Sequence, residues 1–129
     1  MKRKQKNKVE SILNKERNVL FAYLYGSFLS CDAFRDIDIA VYLKQVSFRY
    51  LADLKIRLSK SLNMPSDFID ITVLNGILES EDAFSLLYLE KVLKDGALLV
   101  NHNIKLWSDF IEDYSNKFRA AEAILIEAQ

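Results

Sequence analysis

The sequence predicts an α/β (α+β) fold, in which a small mixed β-sheet has helices packed on one face. Two observations support this class. Short stretches with the pattern of strands alternate with longer stretches of helical spacing, and no repeat or linker interrupts them. Half of the 129 residues are hydrophobic, which is enough for one packed core. We therefore expect a single domain over residues 1–129, with its core in 9–100 and a C-terminal helix over 103–127.

The N-terminal half is predicted to hold one helix and two strands. An amphipathic stretch around Val9 to Leu13 indicates a short first helix that ends near Arg17. The apolar, aromatic run from Val19 to Tyr25 stops at Gly26 and is typical of a buried strand. The stretch from Asp36 to Leu43 alternates, with branched aliphatic residues on one face and both aspartates on the other, which predicts a second strand.

The middle of the chain is predicted to form a helix and a third strand. Apolar residues recur at helical spacing from Phe48 to Leu62, with Phe48 among the inward-facing ones, and Pro65 closes this segment. The residues from Phe68 to Leu74 alternate as a strand, with Asp70 on the face opposite the isoleucines. The pattern therefore predicts a helix that packs on the sheet between two strands.

The C-terminal part is predicted to contain two helices and a short edge strand. The third helix is expected to start after Ser80, a suitable N-cap, and to end at Gly96. Its inward residues are expected to be Phe84, Leu87, Tyr88 and Val92. The short apolar run from Ala97 to Val100 predicts the edge strand. The last helix carries an apolar stripe of Ile104, Trp107, Ile111, Tyr114, Phe118, Ala121 and Leu125. A stripe of this kind is either core or, at a chain end, a partner surface.

Charge and composition argue against several classes of partner. The 18 basic and 18 acidic residues cancel, so a broad polyanion-binding surface, and with it a nucleic-acid partner, is not expected. No apolar run approaches the roughly 20 residues that cross a bilayer, and no apolar segment follows the basic N-terminus as in a signal peptide. Because the single cysteine, Cys31, cannot form an internal disulfide, we expect the reducing cytoplasm.

Three acidic residues are the candidates for chemistry. Asp36 and Asp38 are two positions apart in a predicted strand, so their side chains leave one face of the sheet roughly 6–7 Å apart. If the strand that holds Asp70 is the neighbour, all three carboxylates share that face. Oxygen ligands of this kind suit Mg²⁺, which keeps waters and substrate phosphates in its shell. The pattern therefore suggests metal-assisted transfer of a phosphate-containing group.

Gly26 and Ser27 form the second candidate motif. Gly26 ends a buried strand, and Ser27 is a good N-cap for a short helix that would run to Asp32. A strand followed by Gly-Ser and a helix offers free backbone N–H groups and a hydroxyl to a phosphate. Gly-Ser alone is common in turns, so its weight comes from its place between a strand and the acidic pair.

Two stretches of the chain resemble the signature of the minimal nucleotidyltransferase (MNT) family, a branch of the DNA polymerase beta superfamily. They are residues 23–28, Tyr-Leu-Tyr-Gly-Ser-Phe, and residues 36–41, Asp-Ile-Asp-Ile-Ala-Val. Asp70 resembles the later strand acid of that family. The resemblance extends from about Val9 to Val100. Two features depart from it: the spacer between Ser27 and Asp36 is shorter than is common, and residues 29–31 lack the usual small-basic-glycine pattern.

The resemblance implies a DNA polymerase beta-like nucleotidyltransferase fold and Mg²⁺-dependent transfer of a nucleoside monophosphate, with ATP as donor. It implies that Gly26 and Ser27 bind the triphosphate, and that Asp36, Asp38 and Asp70 hold the metal and act in catalysis. Many members of the family are antitoxins paired with a HEPN-domain toxin, and some add AMP to a tyrosine of that partner. The resemblance therefore implies a HEPN toxin as protein partner and a homo- or hetero-oligomer.

Two alternatives remain open at this stage. The chain could be a catalytically silent antitoxin that neutralises its partner by binding alone, through the stripe of the last helix. It could also be a nucleotidyltransferase for a small molecule, although 129 residues leave little room to enclose such an acceptor. A complete set of three acids favours the enzyme over the silent binding partner.

Overall fold

The computed structural model describes residues 2–26, 36–80 and 82–127. These residues form four strands and four helices, which we number in chain order. The helices are α1 (Lys2–Asn14), α2 (Phe48–Leu62), α3 (Ala83–Asp95) and α4 (Ile104–Glu127). The strands are β1 (Val19–Tyr25), β2 (Ile37–Leu43), β3 (Ile69–Val73) and β4 (Ala97–Asn101), and single turns of 3₁₀ helix span Ser66–Phe68 and Ile77–Ser80. None of the described helices is both long and apolar enough to cross a bilayer.

The strands form one mixed sheet in the order β3-β2-β1-β4. β1 pairs antiparallel with both β2 and β4, whereas β2 and β3 are parallel. Parallel neighbours need a crossover connection, and α2 supplies it between β2 and β3. The predicted mixed α/β fold is therefore confirmed, and so is the edge position of β4.

One face of the sheet packs against α1 and α2. The branched aliphatic residues of β2 lie on this face with Leu24 of β1 and Ile69 of β3, and the buried residues of the two helices cover them. Those helical residues are Val9, Leu13, Leu54, Leu58 and Leu62. The strict alternation of β2 selects this face, since a strand places successive side chains on opposite sides.

The other face packs against α3 and α4, so the expectation that helices cover only one face was wrong. Phe21, Tyr23 and Tyr25 of β1 lie on this second face, where Leu89 of α3 and Phe110 of α4 are buried with them. The reason is the composition of β1: its aromatic residues lie on this second face and Ala22 and Leu24 lie on the first, so both faces are apolar and each needs a cover.

The start and orientation of α3 also differ from the prediction. Asp82, not Ser80, is the N-cap, and its side chain accepts a hydrogen bond from the backbone N–H of Phe84 at 3.0 Å. Phe84 and Leu87 point to solvent, with exposed fractions of 81% and 58%. Val92 is buried as predicted, and the other buried residues are Leu86 and Leu89. Apolar residues occur on several sides of this helix, so helical spacing alone did not identify the buried side.

α2 and α4 follow the predicted bounds closely. Ser47 caps α2 by accepting a hydrogen bond from Tyr50, which leaves Phe48 in the first turn and 92% exposed, contrary to the inward position predicted for it. In α4 the stripe is core for most of its length. The indole N–H of Trp107 donates to the hydroxyl of Tyr23 at 2.8 Å, while Ile104 stays exposed.

Candidate active site

Asp38 of β2 and Asp70 of β3 are direct partners in the sheet. The parallel register pairs Ile37 with Ile69 and Asp38 with Asp70, so the two carboxylates leave the same face on adjacent strands. Adjacent strands lie about 4.8 Å apart, and the two carboxyl groups are close enough to hydrogen-bond with each other. The predicted adjacency of the second and third strands is therefore present, with no shift of register at the acids.

Asp36 directly precedes β2 and is only partly exposed. It stands two positions before Asp38, and its charge reaches the Asp38 carboxyl. The three acids thus belong to one electrostatic group at the end of β2 that is furthest from Leu43.

The pKa of Asp38 is raised above its ordinary value. Burial is the largest cause, and the negative charges of Asp70 and Asp36 follow; the positive charge of Lys91 opposes them. An acid that is partly desolvated and surrounded by like charge favours its neutral form unless a cation compensates. This environment is typical of functional carboxylates rather than of solvated strand ends.

Gly26 lies against the Asp38 carboxylate. Its φ of +83° is in the left-handed region, which glycine adopts without strain. A Cβ at this position would overlap Oδ2 of Asp38. Glycine is therefore required here for two independent reasons: the conformation of the chain as it leaves β1, and the space that the carboxylate occupies.

A pair of tyrosines lies beneath the acids on the same face. Tyr88 of α3 donates a hydrogen bond to the hydroxyl of Tyr25 at 2.7 Å, and the rings meet edge to face. Burial raises the pKa of the Tyr88 hydroxyl, while a hydrogen bond with Thr72 lowers it and the nearby charge of Asp38 raises it further. Tyr25 pairs with Asp38 in the β1–β2 ladder. α3 is therefore tied to β1 and β3 directly under the carboxylates.

The sequence interpretation missed both Tyr88 and Lys91 as parts of this region. Tyr88 was expected only as a core residue, and Lys91 was not singled out, because nothing along the chain relates either of them to residues 36–70. The signal that identifies them is the packing of α3 on β1, which the sequence pattern does not specify.

Three residues near the motif lie outside the described part of the chain: Ser27, predicted to bind the triphosphate, Cys31, and Arg35, which directly precedes Asp36. His102 is not near the acids. Its Nδ1 lies 2.9 Å from the carbonyl oxygen of Val19 and its Nε2 lies 3.1 Å from Oδ1 of Asn14, at the opposite end of β1.

The donor set fits a hard cation. Within residues 2–26, 36–80 and 82–127, no three His, Cys, Asp or Glu side chains converge as a ready-made metal cage. Mg²⁺ does not require one, since it is usually held by one or two carboxylates together with waters and substrate phosphates. The adjacent pair of Asp38 and Asp70 meets that requirement, and Asp36 is close enough to add charge.

The family profile described as polymerase beta, nucleotidyltransferase, matches residues 7–105. This range contains Gly26, Ser27 and all three acids. No curated protein is similar enough in sequence to count as a match.

Several solved structures share the fold. In a Shewanella oneidensis complex of a tri-AMPylated HEPN toxin with an MNT antitoxin, a chain is 19% identical, with a TM-score of 0.62 over 98% of this chain and 92% of that one. In a toxin–antitoxin structure with AMP-PNP, a chain is 20% identical, with a TM-score of 0.61 over 95% and 90%. In an MntA–HepT toxin–antitoxin complex, a chain is 18% identical, with a TM-score of 0.59 over 97% of this chain and 91% of that one. At these identities the likeness concerns the fold.

Proposed function

The chain belongs to the polymerase beta nucleotidyltransferase family, and on that premise we propose that it transfers AMP from ATP to a tyrosine hydroxyl of a HEPN-domain toxin, as the antitoxin of a toxin–antitoxin pair. The observation that carries the proposal is the in-register pairing of Asp38 with Asp70, beside Asp36, on one face of the sheet.

The carboxylates supply the two functions that nucleotidyl transfer needs. The acceptor hydroxyl attacks the α-phosphorus of ATP, the bond to the bridging oxygen breaks, and pyrophosphate leaves. Asp36, Asp38 and Asp70 would hold Mg²⁺, which when bound neutralises charge on the triphosphate and the leaving group. A carboxylate next to the acceptor takes the proton of the attacking hydroxyl. We assign that role to Asp70, because it is the most exposed of the three.

Gly26 has a supporting role in this proposal. It allows the chain to turn beside Asp38 without a side chain that would displace the carboxylate. With Ser27 it would present the triphosphate to the acids, as the family signature implies. The reaction belongs in the cytoplasm, in keeping with a sequence that holds one cysteine.

The partner assignment is supported by the structural relatives. The Shewanella oneidensis complex contains a toxin that carries three AMP groups, and another complex contains the ATP analogue AMP-PNP. We extend both features to this chain because it spans nearly the whole length of those relatives.

The test is to incubate the protein with Mg²⁺, ATP and the HEPN protein encoded beside it, and to measure the intact mass of the partner. We expect one or more AMP adducts, located on tyrosine by fragmentation, and none with Asp36→Asn plus Asp38→Asn. A stable complex without an adduct would instead support the silent-antitoxin function. An undiminished adduct with the double variant would show that the carboxylates are not the metal site.

A further inference from the structure

Lys91 is an exposed lysine on α3, close to the three acids. It follows Tyr88 by three positions, so the two side chains project from the same side of the helix. Tyr88 hydrogen-bonds to Tyr25, which is the ladder partner of Asp38. Lys91 therefore stands at the margin of the carboxylate site rather than on the outer face of the helix.

The C-terminal half of α3 is held rigidly at that margin. Leu89 and Val92 are buried against the sheet, on either side of Lys91 in sequence. At the end of the helix the backbone N–H of Gly96 donates to the carbonyl of Val92 at 2.9 Å. A Cβ on Gly96 would lie 3.1 Å from the carbonyl oxygen of Leu24, so the helix end abuts the last residues of β1. The main chain that carries Lys91 is thus fixed beside the acids.

The charge of Lys91 reaches the carboxylate site. Lys94, Lys105 and Lys117 each form an ion pair with an acid four residues away in the same helix. Lys91 has no such pair in the part of the chain that the structure describes. Its positive charge instead acts on Asp38, against the charges of Asp70 and Asp36.

We propose that Lys91 binds the triphosphate tail of the nucleotide and stabilises the pyrophosphate as it leaves. This inference rests on the proposed function, since it assigns the substrate contact of the same site. A flexible ammonium with three donors suits phosphate oxygens whose position changes during the reaction. The negative charge on the leaving group increases in the transition state, so a cation held there lowers the barrier.

The alternative is that Lys91 only balances the negative charge of Asp38 and does not contact the nucleotide. The two roles differ in what they predict for nucleotides of different length. A phosphate contact discriminates the triphosphate from AMP, which has no β- or γ-phosphate. A counter-charge for Asp38 would instead oppose the Mg²⁺ that the acids hold, so its loss would leave Mg-ATP binding unchanged or make it tighter.

The experiment is a calorimetric titration of the full chain with Mg-ATP and with AMP, for the wild type, Lys91→Ala, Lys91→Arg and the control Lys94→Ala. Lys94 lies on the same helix but pairs with Glu90. We expect Lys91→Ala to weaken Mg-ATP binding by about 10-fold or more, the effect of losing one charge-assisted hydrogen bond. AMP binding should be unchanged, Lys91→Arg should restore much of the Mg-ATP affinity, and Lys94→Ala should match the wild type.

The outcomes separate this inference from the function on which it rests. Equal Mg-ATP affinity in the wild type and Lys91→Ala, or an equal loss for ATP and AMP, would overturn the phosphate role while leaving the enzyme intact. No Mg-ATP binding by the wild type would overturn both, and would do so without reference to Lys91. Because the side chain is exposed, the thermal unfolding temperature of Lys91→Ala should stay close to that of the wild type, lowered only slightly by the loss of a positive charge near the acids.

Discussion

Glu16 and Asp38 are both acidic side chains partly shielded from water, yet the protein shifts their pKa values in opposite directions. Glu16 accepts hydrogen bonds from two nitrogens of Arg57 at 2.8 and 2.9 Å and from the hydroxyl of Tyr50 at 2.8 Å. Hydrogen bonding to Arg57 is the largest cause that lowers the pKa of Glu16. Arg57 also pairs with Asp53. We call these four residues the Glu16 network.

Asp38 has the reverse environment. Its ladder partner is another aspartate, a third acid stands two positions away, and burial adds to the repulsion. The Glu16 network ties the end of α1 to α2, and the charge of Glu16 is matched by that of Arg57. The negative charges of the three acids at β2 and β3 are not balanced by an equal number of positive charges. The fold therefore leaves an excess of negative charge that a metal cation and a cationic side chain can compensate. Burial raises the pKa of both acids, so the balance of charge around each acid distinguishes the structural Glu16 from the candidate functional Asp38.

The largest expected difference between the two regions is in catalysis. Asp70→Asn should lower the rate of AMP transfer by about 10²-fold or more, because it removes a metal ligand and the proposed base. Asp53→Asn changes an acid of the Glu16 network in the same way and should leave the rate unchanged. The measurement is the initial rate of AMP adduct formation at saturating Mg-ATP for the wild type and the two variants. Equal rates for wild type and Asp70→Asn would remove Asp70 from the site.

Two glycines offer a matched test of the space around Asp38. Gly26 and Gly76 both have positive φ, +83° and +77°, so alanine should destabilise the fold by about 1–2 kcal/mol at either position. Only at Gly26 would the new Cβ overlap the Asp38 carboxylate; at Gly76 the nearest atom, Oε2 of Glu79, is at 3.6 Å. We expect the rate of AMP transfer to fall in Gly26→Ala and to stay unchanged in Gly76→Ala. Urea unfolding and the adduct assay measure the two effects, and similar activities for the two variants would contradict the requirement for space.

Neutralising one acid in each region should change stability with opposite signs. Glu16→Gln breaks a charge-assisted pair that is only partly screened, and should lower the free energy of unfolding by roughly 1–2 kcal/mol. Asp38→Asn removes repulsion, and should raise the thermal unfolding temperature in metal-free buffer. A lower unfolding temperature for Asp38→Asn than for the wild type in metal-free buffer would mean that the charge of Asp38 stabilises the fold, contrary to the repulsion expected among the three acids.

The smallest expected effect is the pH dependence of stability. The folded pKa of Glu16 is lowered, so its contribution is present above the unfolded pKa and is lost as pH falls below about 4. The folded pKa of Asp38 is raised, so its contribution declines as pH rises from about 4 through the folded value. Compared with wild type, Glu16→Gln should lose less stability on acidification, and Asp38→Asn should lose less between pH 4 and neutrality. Urea unfolding at a series of pH values in metal-free buffer measures both slopes. Parallel profiles for the three proteins would contradict these assignments.

Alternation along the strands determined much of the candidate site from sequence alone. Asp36 and Asp38 could be assigned to one face because side chains in a strand repeat every two residues. Asp70 could join them only if its strand is the neighbour, and β3 does pair with β2. The strong apolar pattern of the opposite face left no other orientation, and the β2–β3 register agrees with it. The Gly26 turn was also identifiable, since it interrupts an apolar run.

The predictions that failed concern helices whose apolar residues do not define a single side. Leu87 and Phe84 of α3 were expected inside and are exposed, because Leu86 and Leu89 offer a competing apolar side. The aromatic residues on the second face of β1 likewise gave no sign of which helices would cover that face.

By itself, the sequence determined the α/β class, the bounds of most elements and the face of its own strand on which each candidate acid lies, because each of these follows from local periodicity. Only the tertiary structure decided which charges meet. Glu16 and Arg57 are 41 residues apart, and Tyr25 and Tyr88 are 63 apart. Lys91 acts on Asp38 from a different element. Such pairs depend on how helices dock on a sheet, and docking is set by the fit of whole surfaces, which no local repeat in the chain encodes.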